Sequence, residues 1–311
     1  MQSLISIPTY QRAHQIGRAI EAALAQSQHD VTVVVIDDAS TDDTQAACAR
    51  WFGHPRFGYL RLGHNLGTAA AKNVALALLP FDAITFHDSD DIPHVDKLLR
   101  QQRTLSRTGL VAADCAPWHL AGGTQVADAP AQLDLVLTAH RFLSADGRAA
   151  RIARTLSLVE DFFPNLQFSA GPPGDWVLIN SGLFRRDLFA RIGGYADSVE
   201  EDRDLRNRAL MAGAHIWFID DVLLDKYEQP DSLTAAGATG YSSARRRDDR
   251  SALWRTIADW RPGTAPAPVP IDLAELTIAF AAMPQPLAVA TDIAMTGATR
   301  ARLDTVVAAL A

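Results

Sequence analysis

The chain has 311 residues, of which 48% are hydrophobic, with 29 Lys and Arg against 36 Asp and Glu and a formal net charge of −7. That hydrophobic share supports a sizeable core, and the acidic balance speaks against nucleic acid as a partner, which would need a basic face. Cys48 and Cys115 lack metal-ligand spacing and read as core residues in a reduced compartment. No charged stretch followed by an apolar run opens the chain, and no segment reaches the roughly 20 apolar residues of a membrane helix. The expected location is cytoplasmic, with peripheral membrane contact through the basic run 148–154 or the C-terminal tail left open.

Residues 3–7 read as a strand leading into Pro8-Thr9-Tyr10-Gln11-Arg12, after which Ile16, Ile20, Ala23 and Leu24 recur on one helical face. Residues 31–36 form a second, continuous β-branched strand ending in Asp37 and Asp38. Ser40 or Thr41 is a good N-cap for a helix running to about Trp51, and Asp42 and Asp43 suit its positive end. Structural duty therefore explains Asp42 and Asp43 well, and Asp37 and Asp38 poorly. Residues 57–62 are a third strand, followed by Gly63-His64-Asn65-Leu66-Gly67 and an Ala-rich helix over 68–79.

Residues 83–86 form a fourth strand, apolar enough to be buried on both faces, which stops at His87-Asp88-Ser89-Asp90-Asp91 before a helix over 95–105. Strands and helices alternating at this pitch predict βαβ units in a mostly parallel sheet, so the fold class is α/β. Such sheets bind ligands beyond the carboxyl ends of their strands. Asp88, Asp90 and Asp91 raise one another's pKa unless something positive joins them. A hard cation such as Mg²⁺ or Mn²⁺, and with it a diphosphate, suits them. A solvated turn in which Ser89 or Asp91 caps the next helix suits them equally. Neither G-x-G-x-x-G after the first strand nor G-x-x-x-x-G-K-[ST] occurs, which argues against a dinucleotide enzyme or P-loop NTPase.

Residues 109–116 read as a further strand. The stretch 117–175 is expected to hold loops and short helices, including a helical fragment at 133–137, Gly122-Gly123 and Gly171-Pro172-Pro173-Gly174. Strand 176–184 and helix 185–192 precede a Gly193-Gly194-Tyr195 turn. A charged helix over 200–211 then begins with Glu200, Glu201 and Asp202, where acids favour the positive end of the dipole. Residues 215–219 read as another strand. Arg245-Arg246-Arg247 opens a helix to about Trp260, read as a solvated face or as a basic segment able to close over a diphosphate. The proline-rich 261–270 is a linker, and the Ala-rich remainder reads as helical.

Together these segments resemble the family-2 inverting glycosyltransferases, whose nucleotide-sugar domain has the GT-A fold. The resemblance covers about residues 3–230. It rests on Pro8-Thr9-Tyr10, Val35-Ile36-Asp37-Asp38-Ala39-Ser40-Thr41-Asp42, Asn65-Leu66-Gly67 with Ala71-Lys72-Asn73, and Phe86-His87-Asp88-Ser89-Asp90-Asp91. Asn180-Ser181-Gly182-Leu183-Phe184-Arg185-Arg186, Ile192-Gly193-Gly194-Tyr195 and Glu201-Asp202-Arg203-Asp204-Leu205 continue it in the family's order.

The resemblance implies a GT-A domain over 1–230, with nucleotide-sugar binding in 1–115 and the acceptor side and base in 116–230; beyond it, 231–311 is expected as a helical extension that packs on the domain or on a second copy. Pro8, Thr9, Tyr10, Arg12, Asp38, Lys72 and Asp88 would hold a UDP- or GDP-linked donor: Tyr10 lies along the base, Asp38 accepts from its ring N–H and Lys72 approaches the diphosphate. Asp90 would ligate Mn²⁺ or Mg²⁺, and Asp202 would be the general base for a saccharide or glycolipid hydroxyl in surface polysaccharide synthesis. Glu201, Asp91 and Trp176 would lie near the acceptor or support the site.

The departures are Gln11 where the family often has Asn, Lys72 where it often has Arg, and no His in Lys226-Tyr227-Glu228-Gln229, which opens the third metal contact to question. The motif and membrane helices of processive relatives are absent, favouring single transfer. The competing readings are a non-catalytic domain that binds a nucleotide sugar or a partner, and a sugar-nucleotide pyrophosphorylase.

Overall fold

The computed structural model describes residues 1–115, 127–152, 179, 182–228, 240, 243–261 and 263–310. The Trp176 position, the Gly122-Gly123 and Gly171–Gly174 segments, and Asn180-Ser181 lie outside them.

The N-terminal half alternates as its periodicity requires: β1 (Ser3–Thr9), α1 (Ile16–Leu24), β2 (Val31–Asp37), α2 (Thr44–Cys48), β3 (Phe57–Leu62), α3 (Thr68–Leu78) and β4 (Ala83–Phe86). β5 (Ile92–Pro93), α4 (Lys97–Leu105), β6 (Leu110–Val111) and β7 (Pro130–Ala131) follow, then β8 (Leu135–Leu143), β9 (Ala149–Ile152), β10 (Leu183–Arg185) and α5 (Arg186–Ile192). α6 (Glu201–Met211), β11 (Ile216–Tyr227), α7 (Ala244–Asp259), β12 (Ile278–Ala282) and α8 (Gly297–Leu310) complete the described chain.

The main sheet runs β12-β3-β2-β1-β4-β10-β8-β11-β5, with β9 paired to β8; a separate small pair joins β6 to β7. β3, β2, β1 and β4 are parallel neighbours, as are β8 and β11, whereas β10 is antiparallel to both β4 and β8. The sheet is thus mixed but largely parallel. Its central strands bury both faces: Leu4, Val34 and Ile36 pack on one side with Val74 and Leu78 of α3, and Ile5, Ile7, Val33 and Val35 on the other with Ile16 and Ile20 of α1. The continuous β-branched run of β2 follows from that double burial.

Several elements depart from the sequence reading. The apolar run at 133–137 enters a strand, β8, and not a helix, because a run this short does not separate the two by periodicity. Only Leu110–Val111 of the expected strand at 109–116 pairs, and Ala112–Asp114 is a 3-10 turn. The strand expected at 215–219 continues to Tyr227. α2 has no side-chain cap from Ser40 or Thr41; Asp42 Oδ1 accepts the Thr44 N–H at 3.0 Å instead.

The C-terminal segment ends in the expected helix, α8, but a strand precedes it. β12 pairs antiparallel with the exposed edge of β3, and Phe280 lies 5.4 Å from the Phe52 ring and 6.1 Å from that of Tyr59. β12 thereby replaces β3 as the edge strand of the sheet. Further back, Val269 lies against Gly193 at the end of α5. Gly193 has φ +76°, and a Cβ there would lie 2.0 Å from the Val269 carbonyl oxygen. Gly193→Ala is therefore expected to lower stability by about 1 to 3 kcal/mol, measurable as a drop in Tm; an unchanged Tm would mean this close approach is not maintained.

Candidate active site

The loops beyond β1 and β2 lock together. Gln11 and Ala39 hold left-handed backbone, φ 55° and 62°, a conformation non-glycine residues adopt at some cost. Side-chain bonds over-determine it: Gln11 Oε1 accepts the N–H groups of Thr41 and Asp42 at 3.2 and 3.0 Å, and the Gln11 N–H donates to Ser40 Oγ at 2.9 Å. Pro8 and Thr9 end β1, and the Tyr10 ring stands 44% exposed, free to stack on a flat ligand.

Asp37 and Asp38 turn out to have structural partners. Asp37 accepts from the Ser40 N–H at 2.9 Å and from the Tyr59 hydroxyl. Asp38 Oδ1 and Oδ2 accept the N–H groups of Leu66 and Gly67 at 2.7 and 2.8 Å, fixing the turn that launches α3. Burial raises the Asp38 pKa, with those two amides pulling the other way. Each carboxylate oxygen retains a second lone pair for a ligand N–H.

The acid cluster follows β4. After Asp91 the chain pairs as β5 with β11, Asp225 opposite Ile92, and this brings Lys226 to the cluster. Its Nζ lies 3.2 Å from Asp88 Oδ2 and 3.5 Å from Asp91 Oδ2. Burial acts to raise the Asp88 pKa, but Lys226 and Lys72 outweigh it and hold it below the usual range. Burial raises Asp90, and raises Asp91 further; Arg12 is near enough to Asp90 for its charge to act there. His87, the residue after β4, is buried, with its Nε2 3.3 Å from Lys97 Nζ. Burial pushes that lysine down to about 7.

Across from these acids stands the start of α6. Lys72, fully buried on α3, reaches Asp202 Oδ1 at 2.6 Å and Glu201 Oε1 at 3.1 Å, and its Nζ sits 4.8 Å from the centroid of the Tyr195 ring. Burial, the largest influence on Asp202, lifts its pKa to about 7 against the opposing pull of Lys72. The turn before α6 is fixed from both sides: Asn73 exchanges two hydrogen bonds with the Tyr195 backbone at 2.8 and 2.9 Å, and Arg208 donates to the carbonyls of Ile192 and Gly194 at 2.6 and 2.7 Å. Glu200, also buried, takes Arg203, Arg246 at 2.9 Å and Arg250 at 3.1 Å. Arg246 of the basic run therefore braces the site, while Arg245 is exposed beside Asp197.

Residues 4–131 match Glycosyl transferase family 2. The Succinoglycan biosynthesis protein ExoO of Rhizobium meliloti (strain 1021) is 32% identical over 204 residues, 66% of this chain and 49% of that protein. Over residues 4–131 the chain is a member of glycosyl transferase family 2. It spans about half the length of the curated relatives it matches. Among solved structures, S. aureus TarS 1-349 in complex with UDP-GlcNAc superposes with TM-score 0.55 at 18% identity, covering 83% of this chain and 66% of that one. The mannosyltransferase PcManGT from Pyrobaculum calidifontis, in complex with GDP-Man and Mn²⁺, gives TM-score 0.53 at 21% identity over 85% of this chain and 66% of that one. These likenesses show the GT-A fold.

The site gathers Asp88, Asp90, Asp91, Lys72, Glu201 and Asp202, with Asp88 near enough to Lys72 and Asp202 for their charges to interact. Trp176 lies outside the described residues. No helix among the described residues is long and apolar enough to cross a membrane.

The acids as arranged do not fit the Mn²⁺ or Mg²⁺ implied by the resemblance. Among the described residues no group of three His, Cys, Asp or Glu side chains is placed to hold a metal ion, and two of the three candidate carboxylates already share the Lys226 ammonium, which has no lone pair to offer a metal. The role of Lys226 is what sequence reading missed: a long-range pairing of a two-residue strand brings it to the acids, and the signal available was its place at the head of Lys226-Tyr227-Glu228-Gln229, the stretch that lacks the family's His.

Proposed function

We propose that this chain is an inverting glycosyltransferase that moves a sugar from a UDP- or GDP-linked donor to a hydroxyl of a saccharide or glycolipid acceptor, in surface polysaccharide synthesis. The observation that carries the reading is the placement of Asp202: a partly exposed carboxylate at the start of α6, held at 2.6 Å by the buried Lys72 and near enough to Asp88 of the acid cluster for their charges to interact. Burial, with that charge, raises its pKa to about 7. A base poised near working pH is suited to accept a hydroxyl proton. The acceptor oxygen attacks the anomeric carbon as its proton passes to Asp202; the bond from that carbon to the diphosphate oxygen breaks on the opposite face, and its electron pair leaves with the nucleoside diphosphate.

On the donor side, Tyr10 stacks on the base, Asp38 accepts from it, and Pro8, Thr9, Arg12 and Asp88 line the nucleotide's path. Lys72, bonded to Asp202 and Glu201, acts on the base side of the site as well as on the donor. Succinoglycan biosynthesis by ExoO, and the complexes of the solved relatives with UDP-GlcNAc or GDP-Man, support this assignment of donor class and pathway type. The extension after residue 230 is read as a module that braces the base through Arg246 and Arg250.

Purified chain incubated with a panel of UDP- and GDP-sugars, with and without oligosaccharide acceptors, is expected to release one of the two nucleotides faster in the presence of an acceptor. Nucleotide binding with no release from any donor would instead favour a non-catalytic nucleotide-sugar domain.

A further inference from the structure

Lys226 stands where the acid cluster calls for a positive charge. Its ammonium lies 3.2 Å from Asp88 and 3.5 Å from Asp91. It is not sealed in: the Lys226 side chain is 22% exposed and that of Asp88 30%. An ammonium carries three N–H donors, so two directed at carboxylates leave one for an incoming oxygen. Asp91 keeps one oxygen, Oδ1, with no hydrogen-bond partner among the described residues. The positive charge the cluster calls for is thus supplied by the chain itself. A lysine is an ordinary phosphate ligand, acting as a point charge.

Resting on the donor-binding reading above, we propose that the Lys226 ammonium, held between Asp88 and Asp91, takes the place of the divalent cation and binds the donor diphosphate directly. Asp88 and Asp91 then serve to hold the lysine, and Asp90 is left facing the donor with Arg12 near it. The exchange has a physical logic: a tethered cation needs no recruitment from solution, at the cost of the higher charge and directional coordination that a divalent ion supplies.

Calorimetric titration with UDP and with GDP, each in EDTA and again in Mn²⁺, tests this on the wild-type chain, Lys226→Gln and Lys226→Arg. The wild type is expected to bind one nucleotide equally well in EDTA and Mn²⁺. Lys226→Gln should lose about 10- to 100-fold in EDTA, as for one charge-assisted contact, and recover in Mn²⁺, because the carboxylates are released to the metal. Lys226→Arg should keep binding in EDTA. The proposal is overturned if wild-type binding vanishes in EDTA and returns with Mn²⁺, or if Lys226→Gln binds like the wild type in EDTA; either result leaves the donor-binding reading intact. Failure of the wild type to bind either nucleotide under any condition overturns that reading and the proposal with it.

Discussion

Asp202→Asn is expected to abolish sugar transfer while leaving nucleotide binding in place. The substitution keeps the shape of the side chain and removes its ability to take a proton, so the loss should reach the 10² to 10⁴ in rate that a positioned base contributes, or about 3 to 5 kcal/mol in the barrier. Binding should persist because the expected donor contacts come from β1, β2, Lys72 of α3, the β4–β5 segment and Lys226 of β11, not from α6. The same residue sets a pH dependence whose sign is fixed. A base works when deprotonated, and burial lifts Asp202 to about 7; kcat/KM should therefore rise with pH through that region and level off above it. An ordinary exposed carboxylate would instead be fully active from about pH 5 upward. Transfer rates measured from pH 5 to 9, with binding followed in parallel, decide the matter. Normal turnover by Asp202→Asn, or a flat profile through pH 7, would remove Asp202 from the role of base.

How much of this was visible in the sequence depends on the range of the interaction concerned. β1 to α3 follow local signals, the β-branched run of β2 and the apolar spacing of α1, and these fold as the pattern dictates. The acid cluster beyond β4 was equally legible, because like charges crowded after an apolar strand demand an explanation wherever they occur. The partners of those acids were not. Lys226 arrives from 138 residues away in sequence and Asp202 reaches Lys72 across 130. Both contacts are made by the pairing and packing of elements whose edges carry no local signature. The same holds for Asp38, whose acceptor duty becomes evident only once the turn at Leu66 and Gly67 is seen to close on it, and for Asp37, which takes the Tyr59 hydroxyl from β3. β12 reads as helix from its alanines, and it becomes a strand because β3 offers an open edge.

Lys72→Met is expected to lower stability and to move the activity profile in a stated direction. Lys72 is buried and holds two acids, Asp202 at 2.6 Å and Glu201 at 3.1 Å. Burial alone would favour its neutral form, but the two carboxylates outweigh it and keep its pKa well above the ordinary lysine value. Methionine fills much of the same volume without charge, leaving the acids to face each other. Removing one partner from a buried pair costs about 3 to 5 kcal/mol. The lower end is expected here, since the Asp202 side chain keeps 32% of its surface exposed and water screens part of the repulsion. The deficit should depend on pH. Without Lys72 the folded pKa of Asp202 rises further above its unfolded value, so the folded state takes up a proton as pH falls and the penalty shrinks below that folded pKa. For the same reason the rising limb of kcat/KM should move to higher pH than in the wild type. A lysine that served the diphosphate alone would leave that limb where it is and weaken nucleotide binding instead. Thermal melts at pH 5 and 8 together with the pH–rate profile separate the two roles: a pH-independent Tm loss with an unshifted limb would assign Lys72 to the donor and not to the base.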